Sequence, residues 1–271
     1  MYNETFTALA KEAQFTKEML GAGATQIRKA NYAQKGIYFQ SFTSLSTGLE
    51  RIGKLCLMLD YYIDNNGEFP DFNYLKKDIG HKIDLLYQRS LDVKRKRKLE
   101  FYFLQDLNGD IYQNILRILS SFAVGDRYSN INILTSSKQQ NDPVSDWFFE
   151  VDMLLFEKRV TEKKKQKIAH NAHVISEMTQ RFTMVRHSSE AGTEIYDVEE
   201  ASFRTGMQQA VAPYRQLYVI QIIRFWFELL RTLQYTAMEQ NNEDIPFFGE
   251  IFGGFYNEDS YIRTRKTWDT I

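Results

Sequence analysis

Apolar residues recur every three or four positions over much of the chain, the spacing that places them on one face of an α-helix. The clearest pattern predicts one long helix with a buried face from Tyr32 to Asp64. A shorter amphipathic pattern predicts a helix from Thr5 to Leu20. We expect it to end at Gly21-Ala22-Gly23, since glycine tolerates the backbone angles of a helix stop.

The middle of the chain carries two further helical patterns and one polar interruption. The spacing predicts a helix over Tyr74 to Arg89 and a longer one over Lys96 to Ala123, despite Gly109. Residues 125–143 are rich in Ser, Asn, Asp and Gln and have no helical repeat. That composition predicts a polar linker or mobile loop.

The interruption separates an N-terminal helical region, 1–124, from a C-terminal one, 144–271, and we expect the two to pack as one compact unit. The second region predicts a helix or helix pair over Val144 to Arg186, a helix over Val198 to Val211, and a helix over Tyr214 to Met238 with Pro213 in its first turn. The aromatic segment from Phe247 to Tyr256 is interpreted as core or as a protein–protein surface.

Composition supports a fold made of helices. Four prolines and fourteen glycines make up about 7% of the chain, against roughly 12% in average proteins. Chains so poor in these residues have few turns, and 43% hydrophobic residues are enough for a sizeable core. The prediction is an all-α helical bundle with a C-terminal helical extension.

Several classes of protein are excluded by simple features. One cysteine, Cys56, allows neither an intramolecular disulfide nor a cysteine-based zinc site. The most apolar region, Leu217 to Leu233, contains Gln221, Arg224, Glu228 and Arg231, which argues against a membrane span. Residues 1–15 lack the pattern of a secretory signal, so we expect a cytoplasmic protein that does not contact a membrane.

The formal net charge is -1, but the positive charges are clustered. We call Lys94, Arg95, Lys96, Arg97 and Lys98 the first basic segment, and Lys163, Lys164, Lys165, Gln166 and Lys167 the second basic segment. If both line one groove, they bind nucleic-acid phosphates; the alternative is two solvated helix faces. A third cluster, Arg263, Arg265, Lys266 and Trp268, adds an aromatic ring for base stacking, or is a docked or frayed terminus.

Two histidines, His170 and His173, are three residues apart and would share one face of a helix. A metal site needs a third ligand, and none stands out in the sequence. We therefore predict two solvated histidines, no metal site and no cofactor.

Glu50, Arg51 and Lys54 interrupt an otherwise apolar helical pattern. Glu50 and Lys54 have the spacing of a surface ion pair. Arg51 fits that explanation less well, and its guanidinium would pair with a carboxylate of a neighbouring helix or contact a phosphate.

These residues also carry a resemblance. The stretch from Phe42 to Leu55 contains Gly48-Leu49-Glu50-Arg51, and the stretch from Gly80 to Tyr87 begins Gly80-His81; together with Leu75-Lys76-Lys77 they resemble the paired helices of HEPN-domain proteins. The resemblance is strongest over residues 32–123. It implies an all-α, commonly dimeric protein from a superfamily of metal-independent ribonucleases in bacterial defence and toxin–antitoxin systems, many members of which have lost catalysis.

The family's catalytic signature is an arginine, a polar residue, and a histidine after four to six intervening positions. Arg181 and His187 have this spacing, although Phe182 stands where the family has a polar residue. On a regular helix the two side chains would point about 120° apart. The pair suits RNA cleavage, since histidine moves protons near neutral pH and arginine stabilises charge on a phosphate.

The resemblance has two further implications. Active sites of HEPN domains lie where two copies meet, so a dimer would gather two Arg181 and His187 pairs into one cleft. His81, the other candidate histidine, matches a packing or turn position of the family. Glu50, Arg51 and His81 are thus kept as supporting candidates.

Three functional hypotheses follow. The first is an RNA-directed protein of the HEPN type, either a metal-independent endoribonuclease using Arg181 and His187 or a relative that has lost the reaction. The second is a non-catalytic helical subunit that binds a partner protein through its aromatic C-terminal segment. The third is a regulator that binds nucleic acid through the two basic segments without cutting it.

Overall fold

A computed structural model describes residues 3–74, 80–136, 141–240 and 243–269. It is 74% helix and 2% strand, which confirms the all-α prediction. The α-helices are α1 (Glu4–Lys29), α2 (Gly36–Asp64), α3 (Phe72–Tyr74), α4 (Ile83–Lys96), α5 (Asp110–Val124), α6 (Ser129–Leu134), α7 (Pro143–Trp147), α8 (Met153–Arg159), α9 (Glu162–Thr179), α10 (Val198–Gln240), α11 (Phe248–Ile251) and α12 (Asp259–Thr264). The strands are β1 (His187–Ser188) and β2 (Glu194–Ile195), which pair antiparallel.

Helix α1 does not stop at Gly21-Ala22-Gly23, and the predicted end at Leu20 is wrong by nine residues. The glycines serve close packing instead. A Cβ atom at Gly23 would lie 2.6 Å from Cγ of Leu45 on α2, and one at Gly21 would clash with the carbonyl oxygen of Trp268. Small residues let the neighbouring backbones approach, and this gain outweighs the entropic cost of glycine in a helix.

The predicted helix from Lys96 to Ala123 is also wrong. Helix α4 ends at Lys96 and α5 begins only at Asp110. Lys98 has a φ of +52°, outside the helical range. Phe101 and Leu107 are buried in the connecting loop, so burial rather than helix formation explains their apolar character. Of the predicted helix from Tyr74 to Arg89, residues 75–79 lie outside the described part of the chain.

The polar stretch 125–143 is partly helical. Helix α6 occupies its middle, and Asp126, Ser129 and Pro143 are buried. Residues 137–140 of this stretch lie outside the described part. The predicted helix pair over Val144 to Arg186 takes the form of α7, a π-helical turn from Phe148 to Asp152, α8 and the separate helix α9.

Helix α10 runs for 43 residues through the centre of the molecule. The sequence predicts two helices here, but Pro213 lies inside one continuous helix. The larger hydrophobic cluster contains residues of α1, α2, α4, α5 and α10, so both halves of the chain contribute to it. In the described ranges, no helix is both long and apolar enough to cross a membrane.

Candidate functional site

The first basic segment is engaged with acidic side chains of its own chain. Arg97 contacts Asp60 and Asp64, and its Nη2 atom lies 2.9 Å from Oδ1 of Asp64. Lys96 pairs with the same two carboxylates. Arg95 lies 3.0 Å from Asp92, and Lys94 donates a 2.8 Å hydrogen bond to Gln105. The predicted open positive patch is therefore largely neutralised, and Lys98 alone of the five has no such contact in the described chain.

The second basic segment is more open. It forms the first turns of α9, where Lys165 pairs with Glu162 at 2.6 Å. Lys163, Lys164 and Lys167 are exposed, and none lies within 4 Å of a described carboxylate. Their charges are free to meet a ligand.

Helix α9 turns a stripe of exposed side chains to solvent, and this stripe is positively charged in the first turns of the helix. Ile168, Ala172 and Ser176 are its buried residues, and Ile168 packs against Gly206 of α10. Since successive residues on a helix are 100° apart, Lys163, Lys167, His170 and Met178 lie within about 80° of one another on the side away from α10. All four are exposed. His170 has no polar contact among the described residues, whereas His173 lies 3.2 Å from Glu199.

The chain that leaves α9 presents unusually exposed side chains. Arg181 is exposed, without a described hydrogen bond or ion pair. Phe182 and Met184 are 89% and 94% exposed. Arg186, also exposed, completes a segment of two arginines around two solvent-facing apolar residues.

His187 is held more firmly than Arg181. It begins β1, and its exposed ring packs edge-on against Tyr32, with 5.6 Å between ring centroids. The hairpin is tied down by Lys35, which donates a 2.9 Å hydrogen bond to Ser188. It is also tied down by the buried carboxylate of Glu190, which Arg204 and Gln208 of α10 contact.

Arg181 and His187 do not contact each other through a hydrogen bond within the described chain. His187 has a fixed backbone and Arg181 stands free in solvent. Within one chain the two groups are therefore both exposed on one surface segment and are not joined by a hydrogen bond in the described residues.

The supporting candidates form surface contacts. Arg51 Nη1 lies 2.8 Å from both carboxylate oxygens of Glu12 on α1, so the expected pairing with a neighbouring helix is confirmed. Glu50 pairs with Lys54 at 2.7 Å, as its spacing predicts, and also lies 2.8 Å from Nδ1 of His81. The His81 side chain is 67% exposed, which excludes a core role.

The aromatic residues near the C-terminus are mostly buried. Phe248, Phe252 and Phe255 are fully buried, so these three rings belong to the core and form no partner surface, whereas Phe247 of the same segment is 52% exposed. Trp268 is also fully buried and stacks on Phe255 at 6.0 Å, so it cannot stack on a base. Its backbone N–H donates to Thr25 of α1, which makes the terminus a docked one.

No group of three or more metal-ligating side chains is found in the described ranges. His173 faces Glu177 and Glu199, whose contacts raise its pKa, the hydrogen bond that His173 donates to Glu199 contributing most. This neighbourhood favours the protonated imidazole, which does not bind metal.

A buried polar network lies at the centre of the fold and was missed by the sequence patterns. Arg215 of α10 and Asp152 are both fully buried, with Nε of Arg215 2.6 Å from Oδ1 of Asp152. Burial alone would lower the pKa of Arg215, but the attraction of Asp152 outweighs it and raises the pKa. Trp147, Tyr38 and the carbonyl of Ala30 also belong to the network. Because the charged groups of Arg215 and Asp152 are fully buried and bind partners within the chain, we assign the network to stability and not to chemistry.

The sequence signal for this network was present. Arg215 and Gln216 stand just before the most apolar stretch of the chain, Leu217 to Leu233, and a charged residue there requires a buried partner. Asp152 ends the π-helical turn, a rare distortion of an α-helix.

Comparisons of the chain with protein-family models, curated proteins and solved structures find no match.

Proposed function

We propose that this chain is a HEPN-like, RNA-directed protein that contacts single-stranded RNA with the outward face of α9 and the segment 180–188. The observation that carries the proposal is the set of exposed cations without carboxylate partners on this face: Lys163, Lys167 and Arg181. A cation that is already paired within its own chain must lose that partner before it can bind a phosphate, which costs free energy. A cation without a carboxylate partner binds the phosphate without this loss.

The same face offers more than charge. Lys163 and Lys167 are one turn apart, about 6 Å along the helix axis, and follow one another toward Arg181. Phe182 is 89% exposed between Arg181 and Arg186. An exposed ring flanked by cations is the arrangement on which an unpaired base stacks while its phosphates are neutralised. The aromatic residue that departs from the family pattern thus has a use in RNA binding.

The proposal includes a cleavage step without a metal ion. His187 accepts the proton of a ribose 2′-hydroxyl, the 2′-oxygen attacks the adjacent phosphorus, and the bond from phosphorus to the 5′-oxygen breaks. The leaving 5′-oxygen takes a proton from water, so the products are a 2′,3′-cyclic phosphate and a 5′-hydroxyl, and protonated His187 then releases its proton to the solvent. Arg181 of a second copy in a dimer stabilises the charge on the phosphate. Because no hydrogen bond joins Arg181 to His187 within one described chain, the proposal takes the arginine from the second copy.

Binding is tested with Lys163→Glu/Lys167→Glu against a matched control, Lys11→Glu/Lys82→Glu. Lys11 and Lys82 are also exposed and lack described carboxylate partners, and both doubles change the net charge equally. Fluorescence anisotropy with labelled single-stranded RNA at about 50 mM salt should show affinity weakened at least about tenfold in the first double only. Equal losses in both variants would assign the effect to net charge and contradict the proposed surface.

Cleavage is tested with His187→Ala, beside His173→Ala as the control for loss of an exposed histidine of α9 that lies outside the stripe. Wild type and His173→Ala should cleave RNA in the presence of EDTA. His187→Ala should be slower by at least about a hundredfold, the usual cost of losing a general base. The same rate in all three proteins removes His187 from the reaction. Binding without any cleavage leaves an RNA-binding regulator.

A further inference from the structure

A second cationic feature lies at the start of α9, apart from the stripe. It is a surface depression with a volume of about 370 Å³, between the α8–α9 junction, the middle of α10 and the end of α12. Six of the residues that form it matter here: Arg159, Lys164, Gln209, Pro213, Tyr214 and Arg263. Its size falls in the range of small-molecule sites.

Three cations and no carboxylate line the depression. Arg159 is oriented by Tyr218, whose hydroxyl lies 3.0 Å from its Nε atom. Arg263 lies over the ring of Tyr214, 5.9 Å from its centroid. Neither these two nor Lys164 forms an ion pair with a described residue, and the nearby Glu162 is engaged by Lys165. Three converging cations with no internal counter-charge fit a phosphate group, above all one with two negative charges.

The floor of the depression adds an acceptor. Pro213 has no N–H, so the carbonyl of Gln209, four residues earlier in α10, lacks its usual helical donor. Both residues line the depression, beside the ring of Tyr214. The Gln209 carbonyl can accept a hydrogen bond from a sugar hydroxyl or from an amine of a base, and the Tyr214 ring can stack on the face of the base. A nucleotide carries all of these groups: a phosphate, sugar hydroxyls and an aromatic base.

We propose that this depression binds a nucleotide through its 5′-phosphate monoester, either as a free mononucleotide or as the first nucleotide of an RNA. Binding of a free mononucleotide is independent of the proposed function. Binding of the first nucleotide of an RNA rests on the proposed function, and it places the 5′ end of the RNA at the beginning of α9 and the rest of the RNA along the stripe.

The first arm of the test uses AMP and adenosine as probes in isothermal titration calorimetry. AMP should bind at least about tenfold tighter than adenosine, because only AMP carries the phosphate. Lys164→Gln/Arg263→Gln should lose this difference. The control Lys11→Gln/Lys266→Gln, with the same change of charge outside the depression, should keep it. Equal binding of AMP and adenosine to the wild type, or equal loss in both doubles, overturns the proposal.

A second variant tests the carbonyl and keeps the helix intact. Pro213→Ala restores an N–H to α10 and gives the Gln209 carbonyl its helical donor. Both AMP and adenosine should then bind about threefold to tenfold more weakly, the value of one hydrogen bond, with the circular dichroism spectrum unchanged. Unchanged affinity for both ligands removes the carbonyl from the site.

The second arm separates the two sources of the phosphate. RNA with a 5′-phosphate and the same RNA with a 5′-hydroxyl are compared in wild type and in Lys164→Gln/Arg263→Gln. A preference for the phosphorylated RNA that vanishes in the double supports the RNA end. AMP binding without that preference leaves the free mononucleotide. If the protein binds RNA but neither binds AMP nor prefers a 5′-phosphate, the depression is not a nucleotide site, and the proposed RNA-binding surface stands. If it binds AMP but not RNA, the nucleotide site stands and the proposed RNA-binding surface is wrong.

Discussion

The first and second basic segments are similar in composition, with three lysines and two arginines against four lysines and one glutamine, but differ in what surrounds them. The first covers the last turn of α4 and the two residues after it, beside the end of α2, where Asp60 and Asp64, one helix turn apart, face it. The second begins α9, where Glu162 engages Lys165 and leaves Lys163, Lys164 and Lys167 to solvent. The first segment thus joins two helices, whereas the second is available to a ligand. Whether a basic segment is neutralised or can bind a ligand depends on the carboxylates of the helix that packs against it.

The largest expected effect concerns stability. Arg97→Ala removes a side chain that is 16% exposed and bound to Asp60 and Asp64. Its free energy of unfolding should fall by about 2 kcal/mol, since charged hydrogen bonds are lost and the carboxylates are left facing each other. Lys163→Ala should change it by less than about 0.5 kcal/mol. Urea unfolding of both variants measures the difference. Equal changes in the free energy of unfolding would mean that the first segment is no more important for stability than the second.

A second variant would make the first segment resemble the second. Asp60→Asn/Asp64→Asn keeps the side-chain shapes and removes the partners of Lys96 and Arg97. Its affinity for single-stranded RNA should rise at least about threefold at low salt, because two cations become free.

The control for that variant is Glu4→Gln/Glu18→Gln, which removes two exposed charges from α1. Its affinity should change much less. A similar rise in both doubles would show that net charge alone, and not the freeing of Lys96 and Arg97, increases binding. Circular dichroism at the assay temperature checks that the less stable variant is folded.

The smallest expected effect is a pH dependence. Burial by itself would raise the pKa of Asp64, but hydrogen bonds from Lys96 and Arg97 outweigh it and lower the pKa. A carboxyl with a lowered pKa stabilises the fold above its unfolded pKa, about 3.9, and this stabilisation is lost as pH falls through the folded value.

The urea midpoint of the wild type should therefore fall below about pH 4 more steeply than that of Asp64→Asn. Lys163→Ala, in the other segment, should follow the wild-type curve. Parallel curves for wild type and Asp64→Asn would mean that this carboxyl contributes nothing to acid stability.

Helix formation was predictable from the sequence wherever the apolar period extended over many turns, as in Tyr32 to Asp64. The errors have tertiary causes. Gly21 and Gly23 favour a helix end when considered alone, and only the presence of Leu45 and Trp268 explains them as contact points. Pro213 favours a helix start, yet the core packed around α10 continues the helix through it.

The candidate site was predictable in part. The second basic segment, Arg181 and His187 were identified from spacing and residue type, and the stripe on α9 follows from that spacing once α10 is known to cover the opposite side. The neutralisation of the first segment was not predictable, because Asp60 and Asp64 are more than thirty residues distant in sequence from Lys96 and Arg97. The residues next to a basic segment in the sequence do not show which distant carboxylates will pair with it.

The contact between Trp268 and α1 has a consequence for the order in which the molecule is assembled. Gly21 meets the backbone of Trp268, and Thr25 accepts the Trp268 N–H, across some 240 residues of chain. During synthesis α1 emerges long before Trp268, so this side of α1 stays uncovered until residue 268 has left the ribosome. The uncovered side of α1 is therefore a surface that chaperones can bind on the nascent chain.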